Sequence, residues 1–243
     1  MTLIATVWSP EGFAISADGR ELYINSGEAK DVQKIFYTPF ANETGFAWAW
    51  VGCVRVTSTS GHGYDLKEIT HRVVASLPED AYLDDPHSYF TRIANGIYYE
   101  LPTDLNFLHT TDDELIFVGH LAGKPLWAVI IFQHRKGEFF PPVVLEPEIE
   151  PRNFYAFSGS KTICEHMKKT GKLFQPINMP EAISAVHEYA KTCVGSRANT
   201  PECRNLGGTI HVATVTKSGF AWVIEPAVSA KKVSSDASKE DQK

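Results

Sequence analysis

The chain has 243 residues, 43% of them hydrophobic, so it is long enough to bury a sizeable core. Its net charge is −6 and its lysines and arginines are scattered, so no basic face indicates nucleic-acid binding. No apolar run approaches the roughly 18 residues of a membrane helix, and the start lacks a basic secretion signal. We therefore expect a cytoplasmic protein with no nucleic-acid or membrane partner.

The first predicted element places the chain end in a sheet. Residues 3–7 predict a strand, and residues 12–17 predict its hairpin partner across the turn at 9–12. Chain ends usually fray, so a strand that begins at once indicates that the end has a place in the structure. The alternative is a plain edge strand that happens to begin near residue 2.

Thr2 becomes the amino-terminal residue if Met1 is removed. Its hydroxyl is then a nucleophile beside an α-amine with a pKa of roughly 7.7 to 8.0, which can accept the hydroxyl proton near neutral pH. This pairing of nucleophile and base in one residue indicates an amide hydrolase.

Asp18 and Lys34 follow Thr2 at the end of the hairpin and at the start of an apolar stretch at 34–37. An inward-pointing Lys34 ammonium needs a carboxylate, which Asp18 on the neighbouring strand can supply. Such a cation near Thr2 favours the alkoxide and lowers the pKa of the α-amine. The alternative is a surface lysine at a strand edge.

Seven stretches of the sequence resemble one known family in content and order. They are TLIA at 2–5, GFAISADGR at 12–20, KIF at 34–36, ELIFVGH at 114–120, WAVIIF at 127–132, FSGS at 157–160 and GGTIHVATVTKSGF at 207–220. In these stretches the chain resembles proteasome β-type subunits and their bacterial proteasome-like relatives, which are N-terminal nucleophile hydrolases. The resemblance implies an α+β fold, a four-layer αββα sandwich in which helices cover two stacked sheets.

The resemblance also implies the roles of the site residues. Thr2 is then the nucleophile of a threonine peptidase, Asp18 and Lys34 form the charged pair beneath it, and Ser158 stands at a supporting position. No cofactor and no metal are implied. The implied partners are a peptide or unfolded-protein substrate, further copies in a homo-oligomeric ring, and an unfoldase.

The transition state needs a donor for the oxyanion, which the resemblance places at the end of a strand at 45–53. The register leaves Ala49 and Gly52 open, and we favour Gly52 because glycine tolerates close backbone approach and positive φ. Trp48 and Trp50 then either flank the cleft or pack between layers.

The sequence departs from the family before the closing Gly-Gly. Active members carry an Asp and a Ser there to hold the amine and its water, whereas this chain has Cys203 and Leu206. Asn205 or Glu202 can replace them only if the loop shifts register. The alternative function is therefore a catalytically inactive subunit that acts in assembly or binding.

The remaining elements fit a single domain at 1–227. Helical spacing occurs at 65–76, 86–99, 160–169 and 179–194, and strands are predicted at 114–132 around a turn at 122–125, and at 209–225. A Pro-rich acidic segment at 139–151 is either a surface connection or a subunit contact. The polar tail at 228–243 is predicted to be disordered.

Other candidate metal or catalytic sites in the sequence have little support. Cys53, Cys164, Cys193 and Cys203 lack metal-ligand spacing, and without a secretion signal we expect reduced thiols. SGSK at 158–161 and KTG at 169–171 lie too close together for the fold of penicillin-binding enzymes.

Overall fold

The computed structural model describes residues 2–22, 28–40, 45–52, 54–78, 85–102, 105–106, 112–121, 124–135, 138–146, 155–172 and 176–226. Met1, Cys53, part of the predicted turn at 122–125 and the predicted tail at 228–243 lie outside these residues. No helix within the described ranges is long and apolar enough to cross a membrane. The cytoplasmic location stays a prediction.

The start of the chain lies in a five-stranded antiparallel sheet, here called sheet A. Its strands are β1 (Ile4–Ser9), β2 (Gly12–Asp18), β15 (Tyr155–Phe157), β16 (Ile210–Thr216) and β17 (Gly219–Ile224). The order across the sheet is β15-β1-β2-β16-β17. The predicted first hairpin is confirmed, and its register places Ile4 opposite Ala17 and Ser9 opposite Gly12.

A second five-stranded antiparallel sheet, sheet B, holds the tryptophan-rich stretch. Its strands are β5 (Ile35–Thr38), β6 (Phe46–Val51), β10 (Asp113–Leu121), β11 (Lys124–Phe132) and β14 (Val143–Leu145). The order is β14-β11-β10-β6-β5. The Pro-rich segment at 139–151 thus contributes an edge strand, β14, while its residues 147–151 lie outside the described ranges.

Three small antiparallel sheets complete the described strands. Their members are β3 (Arg20–Leu22) with β4 (Ala29–Asp31), β7 (Arg55–Ser58) with β8 (Gly63–Asp65) and β9 (Leu105–Asn106), and β12 (His134–Arg135) with β13 (Glu138–Phe139). β3 follows β2 after Gly19 but pairs with β4 instead of with a strand of sheet A.

Four helices form where the sequence predicts them. They are α1 (Leu66–Ser76), α2 (Pro86–Glu100), α3 (Lys161–Lys169) and α4 (Met179–Gly195). Each begins after a side chain that accepts a backbone N–H of the first turn: Asp65, Asp85, Ser160 and Asn178. Such caps satisfy donors that a helix start otherwise leaves unpaired.

Three clusters of buried apolar side chains hold these elements together. One joins sheet B to α1 and α2, a second joins sheet A to α3 and α4, and a third contains residues of both sheets. The fold is therefore a mixture of helices and antiparallel sheets. These contacts are the ones that a four-layer αββα sandwich requires, although the layering itself stays a prediction.

Trp48 and Trp50 both pack in the cluster under α1 and α2. Their exposed fractions are 0% and 2%, and the Trp50 indole Nε1 donates to Thr70 Oγ1 at 3.0 Å. Trp48 stacks on Phe36 at a centroid distance of 4.5 Å. Of the two predicted placements, packing between layers is the one found.

His120 lies beside the aromatic residues of the third cluster. Its ring centroid is 5.8 Å from Trp8 and 6.2 Å from Phe13, and only 1% of its surface is exposed. Burial lowers the pKa of His120 to about 4, and the positive charge of Lys217 adds to this. The folded protein thus holds a neutral imidazole in its core near neutral pH.

This buried histidine predicts acid sensitivity. The unfolded chain protonates His120 below about pH 6.5 while the folded chain does not until about pH 4, so the free energy of unfolding falls across that window. The shift corresponds to about 3 kcal/mol. Urea unfolding at a series of pH values should show a shallower fall for His120→Leu, whereas the exposed-site control His166→Gln should follow the wild type. An unchanged slope in His120→Leu would contradict this assignment.

Candidate active site

The start of the described chain is buried and fixed by one carboxylate. Thr2 is 5% exposed and Leu3 is fully buried. The Leu3 N–H donates to Asp18 Oδ1 at 2.9 Å, and the Asp18 N–H donates to the Leu3 carbonyl at 3.4 Å. Thr2 therefore directly precedes Leu3, the residue whose backbone is hydrogen-bonded to Asp18.

The same carboxylate binds Lys34. The Lys34 Nζ lies 2.9 Å from Asp18 Oδ1 and donates to the Arg20 carbonyl at 2.6 Å. The second carboxylate oxygen, Oδ2, accepts the Gly207 N–H at 3.2 Å. Asp18 and Lys34 are thus brought together as predicted from the sequence, and the surface-lysine alternative is wrong because Lys34 is only 7% exposed.

The electrostatics of Lys34 are set by opposing effects. Burial lowers the pKa of Lys34 below its usual value of 10.5, while the negative charges of Asp18 and Glu21 act in the opposite direction. Lys67 lowers the pKa slightly further. The net direction is downward, so Lys34 releases its proton more readily than an exposed lysine.

Glu21 is a second buried carboxylate beside this pair. It accepts from Arg55 Nε at 3.1 Å and from Lys67 Nζ at 3.2 Å, and it is 7% exposed. The positive charges of Arg55 and Lys67 therefore balance the Glu21 carboxylate. These contacts link β3 to β7 and to the first turn of α1.

Ser158 braces β1 two residues after Thr2. Its Oγ accepts the Ile4 N–H at 2.7 Å and donates to the Ile4 carbonyl at 3.0 Å. The turn that carries Ser158 is itself held by Tyr189, whose hydroxyl lies 3.1 Å from the Ser158 carbonyl and 3.2 Å from the Ser160 carbonyl. Ser158 thus contacts the backbone of the strand that follows Thr2.

The two oxyanion candidates differ in their strand environment. Ala49 is paired on both sides, with Ile35 on β5 and with Ile116 on β10. Gly52 lies just beyond Val51, the last paired residue of β6, and has φ +103°. A Cβ at Gly52 would lie 2.0 Å from Asp113 Oδ1, so only glycine fits there.

Cys203 and Leu206 both lie in the apolar cluster between sheet A and α4. Each is fully buried, and burial raises the pKa of the Cys203 thiol, so it remains uncharged near neutral pH. Glu202 and Asn205 are the replacements that the sequence offers for these two positions. Neither has a described contact with the chain start. Glu202 is hydrogen-bonded to Ser160 and Thr162, and Asn205 is exposed.

The sequence analysis missed a second carboxylate brace. Asp31 accepts from the Thr209 N–H at 3.0 Å and from Thr209 Oγ1 at 2.6 Å. A Cβ at Gly19 or Gly208 would lie 2.0 Å or 2.4 Å from Asp31 Oδ1. The Gly-Gly pair at 207–208 was the available signal, because adjacent glycines indicate that another group approaches the backbone closely.

Within the described part of the chain, no three His, Cys, Asp or Glu side chains are grouped so that they could hold a metal ion.

Among the solved structures similar to this chain are Anbu proteins. Anbu from Pseudomonas aeruginosa, solved as a helical assembly, superposes with a TM-score of 0.59 at 10% identity, covering 94% of this chain and 88% of that one. Anbu from Yersinia bercovieri, described as an ancestral β-subunit, gives 0.57 at 10% identity, with 93% and 88% covered. Anbu from Hyphomicrobium sp. strain MC1 gives 0.55 at 10% identity, with 91% and 84% covered.

The chain has an Anbu-like fold. At these identities the likeness concerns the fold alone. The sequence matches no protein-family model and no curated protein.

The resemblance to proteasome β-type subunits and their bacterial proteasome-like relatives is corrected by this finding. The structural neighbours are Anbu proteins, which are proteasome-like but form a distinct family. The quoted stretches identified the proteasome-related fold, but they are short strand and turn patterns that distinct families of one fold share, so they could not separate the two.

The buried ion pair predicts a large stability effect. Asp18→Asn keeps the side-chain shape but leaves the Lys34 ammonium buried without its countercharge, which should lower the free energy of unfolding by about 3–5 kcal/mol. Adding Lys34→Met should recover part of the loss, because it removes the unpaired charge. Urea unfolding measures both.

Lys191→Met is the matched control, because it breaks the exposed Lys191–Glu188 pair. It should change stability by less than about 1 kcal/mol. Equal losses in Asp18→Asn and Lys191→Met would contradict a structural role for the buried pair.

Proposed function

We propose that this chain is an amide-bond hydrolase that uses Thr2 as its amino-terminal nucleophile on peptide or unfolded-protein substrates. The observation that carries the proposal is the Asp18 carboxylate, which binds the N–H directly after Thr2 and the Lys34 ammonium with the same oxygen. The ion pair therefore lies next to the residue that has both nucleophile and base once Met1 is removed. An Anbu-like four-layer αββα sandwich in one domain at 1–227 is the fold that we infer around it.

In the proposed reaction the Thr2 Oγ attacks the substrate carbonyl carbon while the α-amine takes the hydroxyl proton. The C–N bond then breaks, the α-amine gives the proton to the leaving amine, and an ester to Thr2 remains. Water, deprotonated by the same α-amine, attacks the ester and releases the acid and Thr2.

Lys34 and Ser158 support this chemistry from different sides. The Lys34 charge stabilises the developing alkoxide and favours an unprotonated α-amine. Ser158 fixes the backbone of Ile4, so the position of the chain start is set on both flanks of β1. Such positioning matters because a displaced nucleophile loses much of its rate advantage.

Gly52 is the oxyanion donor that we favour. Ala49 lies within the ladder between β5 and β10, whereas Gly52 follows the last paired residue of β6. Lys34 directly precedes Ile35, the partner of Ala49, so the start of β5 and the end of β6 lie at the same end of sheet B. We therefore propose the Gly52 N–H, at the same end of sheet B as Lys34, as the oxyanion donor.

The second candidate function is a non-catalytic subunit. Cys203 and Leu206 are core residues, and Glu202 is engaged with Ser160, so none of them supplies a carboxylate or hydroxyl to the Thr2 amine. A chain with this loop can keep the fold and serve only in assembly or binding.

The covalent test distinguishes the two functions. Intact mass spectrometry with a peptide epoxyketone, which joins both the hydroxyl and the amine of an amino-terminal threonine, should show loss of Met1 and one adduct. Thr2→Ala should give no adduct while unfolding at the same urea concentration. Thr2→Ser is the matched control and should still react. Retained Met1 with no adduct would favour the non-catalytic subunit.

The chain is also proposed to form a homo-oligomer. The Pseudomonas aeruginosa Anbu was solved as a helical assembly, and this chain exposes apolar side chains on its edge strands, among them Val143, Leu145 and Val223. A ring and an unfoldase partner stay predictions.

Light scattering after size exclusion should give a mass several times the 27.0 kDa of one chain. Val143→Lys should lower that mass if β14 contributes to the contact, and Lys124→Gln, at an exposed position of β11, should not. A monomer mass for the wild type would contradict the oligomer.

A further inference from the structure

Two guanidinium groups lie against the same backbone position, Gly207. A Cβ placed there would be 3.6 Å from Arg197 Nη1, 3.7 Å from Arg20 Nη1 and 3.1 Å from Arg20 Cδ. Arg20 is half-buried on β3, and Arg197 is exposed just after the end of α4. Two like charges beside one residue repel each other, and an anion between them would offset that repulsion.

Neither group has a carboxylate partner among the described residues. Arg20 and Arg197 occur in none of their ion pairs, and the Arg20 Nε is buried without a hydrogen-bond acceptor. The nearby carboxylates are engaged elsewhere, since Asp31 binds Thr209 and Asp18 binds Lys34. The two guanidinium groups therefore have no countercharge among the described residues, and their Nη groups near Gly207 can donate to an anion.

The arginine pair adjoins the proposed reaction centre. The Gly207 N–H donates to Asp18 Oδ2, and the Arg20 carbonyl accepts from the Lys34 Nζ at 2.6 Å. Arg20 and Gly207 therefore both bind the Asp18–Lys34 pair through backbone groups. Arg20 also carries one of the two guanidinium groups, and Gly207 lies next to both. An anion bound there would therefore lie against the residues that hold the Asp18–Lys34 pair, and Asp18 in turn binds the N–H that follows Thr2.

We propose that Arg20 and Arg197 form an anion subsite that binds a carboxylate of the substrate peptide beside the scissile amide. This inference rests on the proposed function. Guanidinium groups present paired donors that match the two oxygens of a carboxylate, and arginine stays charged at all working pH values. The carboxylate comes either from an acidic side chain or from the peptide's carboxyl terminus, and both present the same group.

The test compares short fluorogenic peptides of one apolar sequence with Glu or Gln at each position in turn, each made with a free or an amidated carboxyl terminus. Turnover is measured as kcat/KM with wild-type protein and with Arg197→Gln. Arg204→Gln is the matched control, because Arg204 is exposed in the same connection between α4 and β16 but is not among the atoms nearest Gly207.

Wild type should prefer the acidic peptide by at least about tenfold, the value expected for charge-assisted hydrogen bonds. Arg197→Gln should lose that preference, and Arg204→Gln should keep it. A preference for one Glu position identifies a side-chain carboxylate, and a preference for the free terminus identifies the terminal one. Equal kcat/KM for acidic and neutral peptides, or a preference that survives Arg197→Gln, would overturn the subsite.

Binding of the same peptides to Thr2→Ala protein, followed by fluorescence anisotropy, separates this inference from the proposed function. In one outcome the wild type cleaves no peptide, Thr2→Ala binds acidic peptides more tightly than neutral ones, and adding Arg197→Gln removes that difference. Catalysis is then refuted and the subsite stands. If cleavage occurs but neither turnover nor binding distinguishes Glu from Gln, the subsite is refuted and catalysis stands. Absence of any peptide binding refutes the subsite as well.

Discussion

The Asp18 carboxylate is the interaction on which the site depends. It is fully buried, and a buried charge is tolerated only when it is paired and hydrogen-bonded. Its oxygens accept from the Leu3 N–H, the Lys34 ammonium and the Gly207 N–H. These donors come from the chain start, the residue before β5 and the connection before β16. The charge is therefore stabilised only when three distant parts of the chain are in place together.

A second carboxylate extends the same principle to the connection before β16. Asp31 binds Thr209 and lies where any side chain at Gly19 or Gly208 would collide. The two carboxylates thus fix one short connection from both sides, and that connection carries the N–H bound to Asp18. This is why glycine is required at these positions, and why the arginine pair at Gly207 has a defined position relative to the ion pair.

Fold and activity are separate questions for this chain. The likeness to Anbu proteins concerns the fold alone, whereas catalysis depends on a few groups around Thr2. The ion pair and the Ser158 brace are present. The positions of Cys203 and Leu206 are part of the core instead, so an active enzyme must hold its α-amine without an Asp and a Ser at those two places.

The sequence alone predicted the first hairpin and the four helices, because strand alternation and helix caps are local constraints. The cost of a buried ammonium made Asp18 a candidate partner for Lys34 but left a surface lysine open, and only the structure excluded that alternative. The sequence could not distinguish the Anbu proteins from related families, since their short motifs report shared strands and turns. Tertiary structure alone placed Cys203 in the core and Asp31 on Thr209. It also brought Arg20 and Arg197 to one glycine, because residues so far apart in sequence meet only through the packing of both sheets and α4.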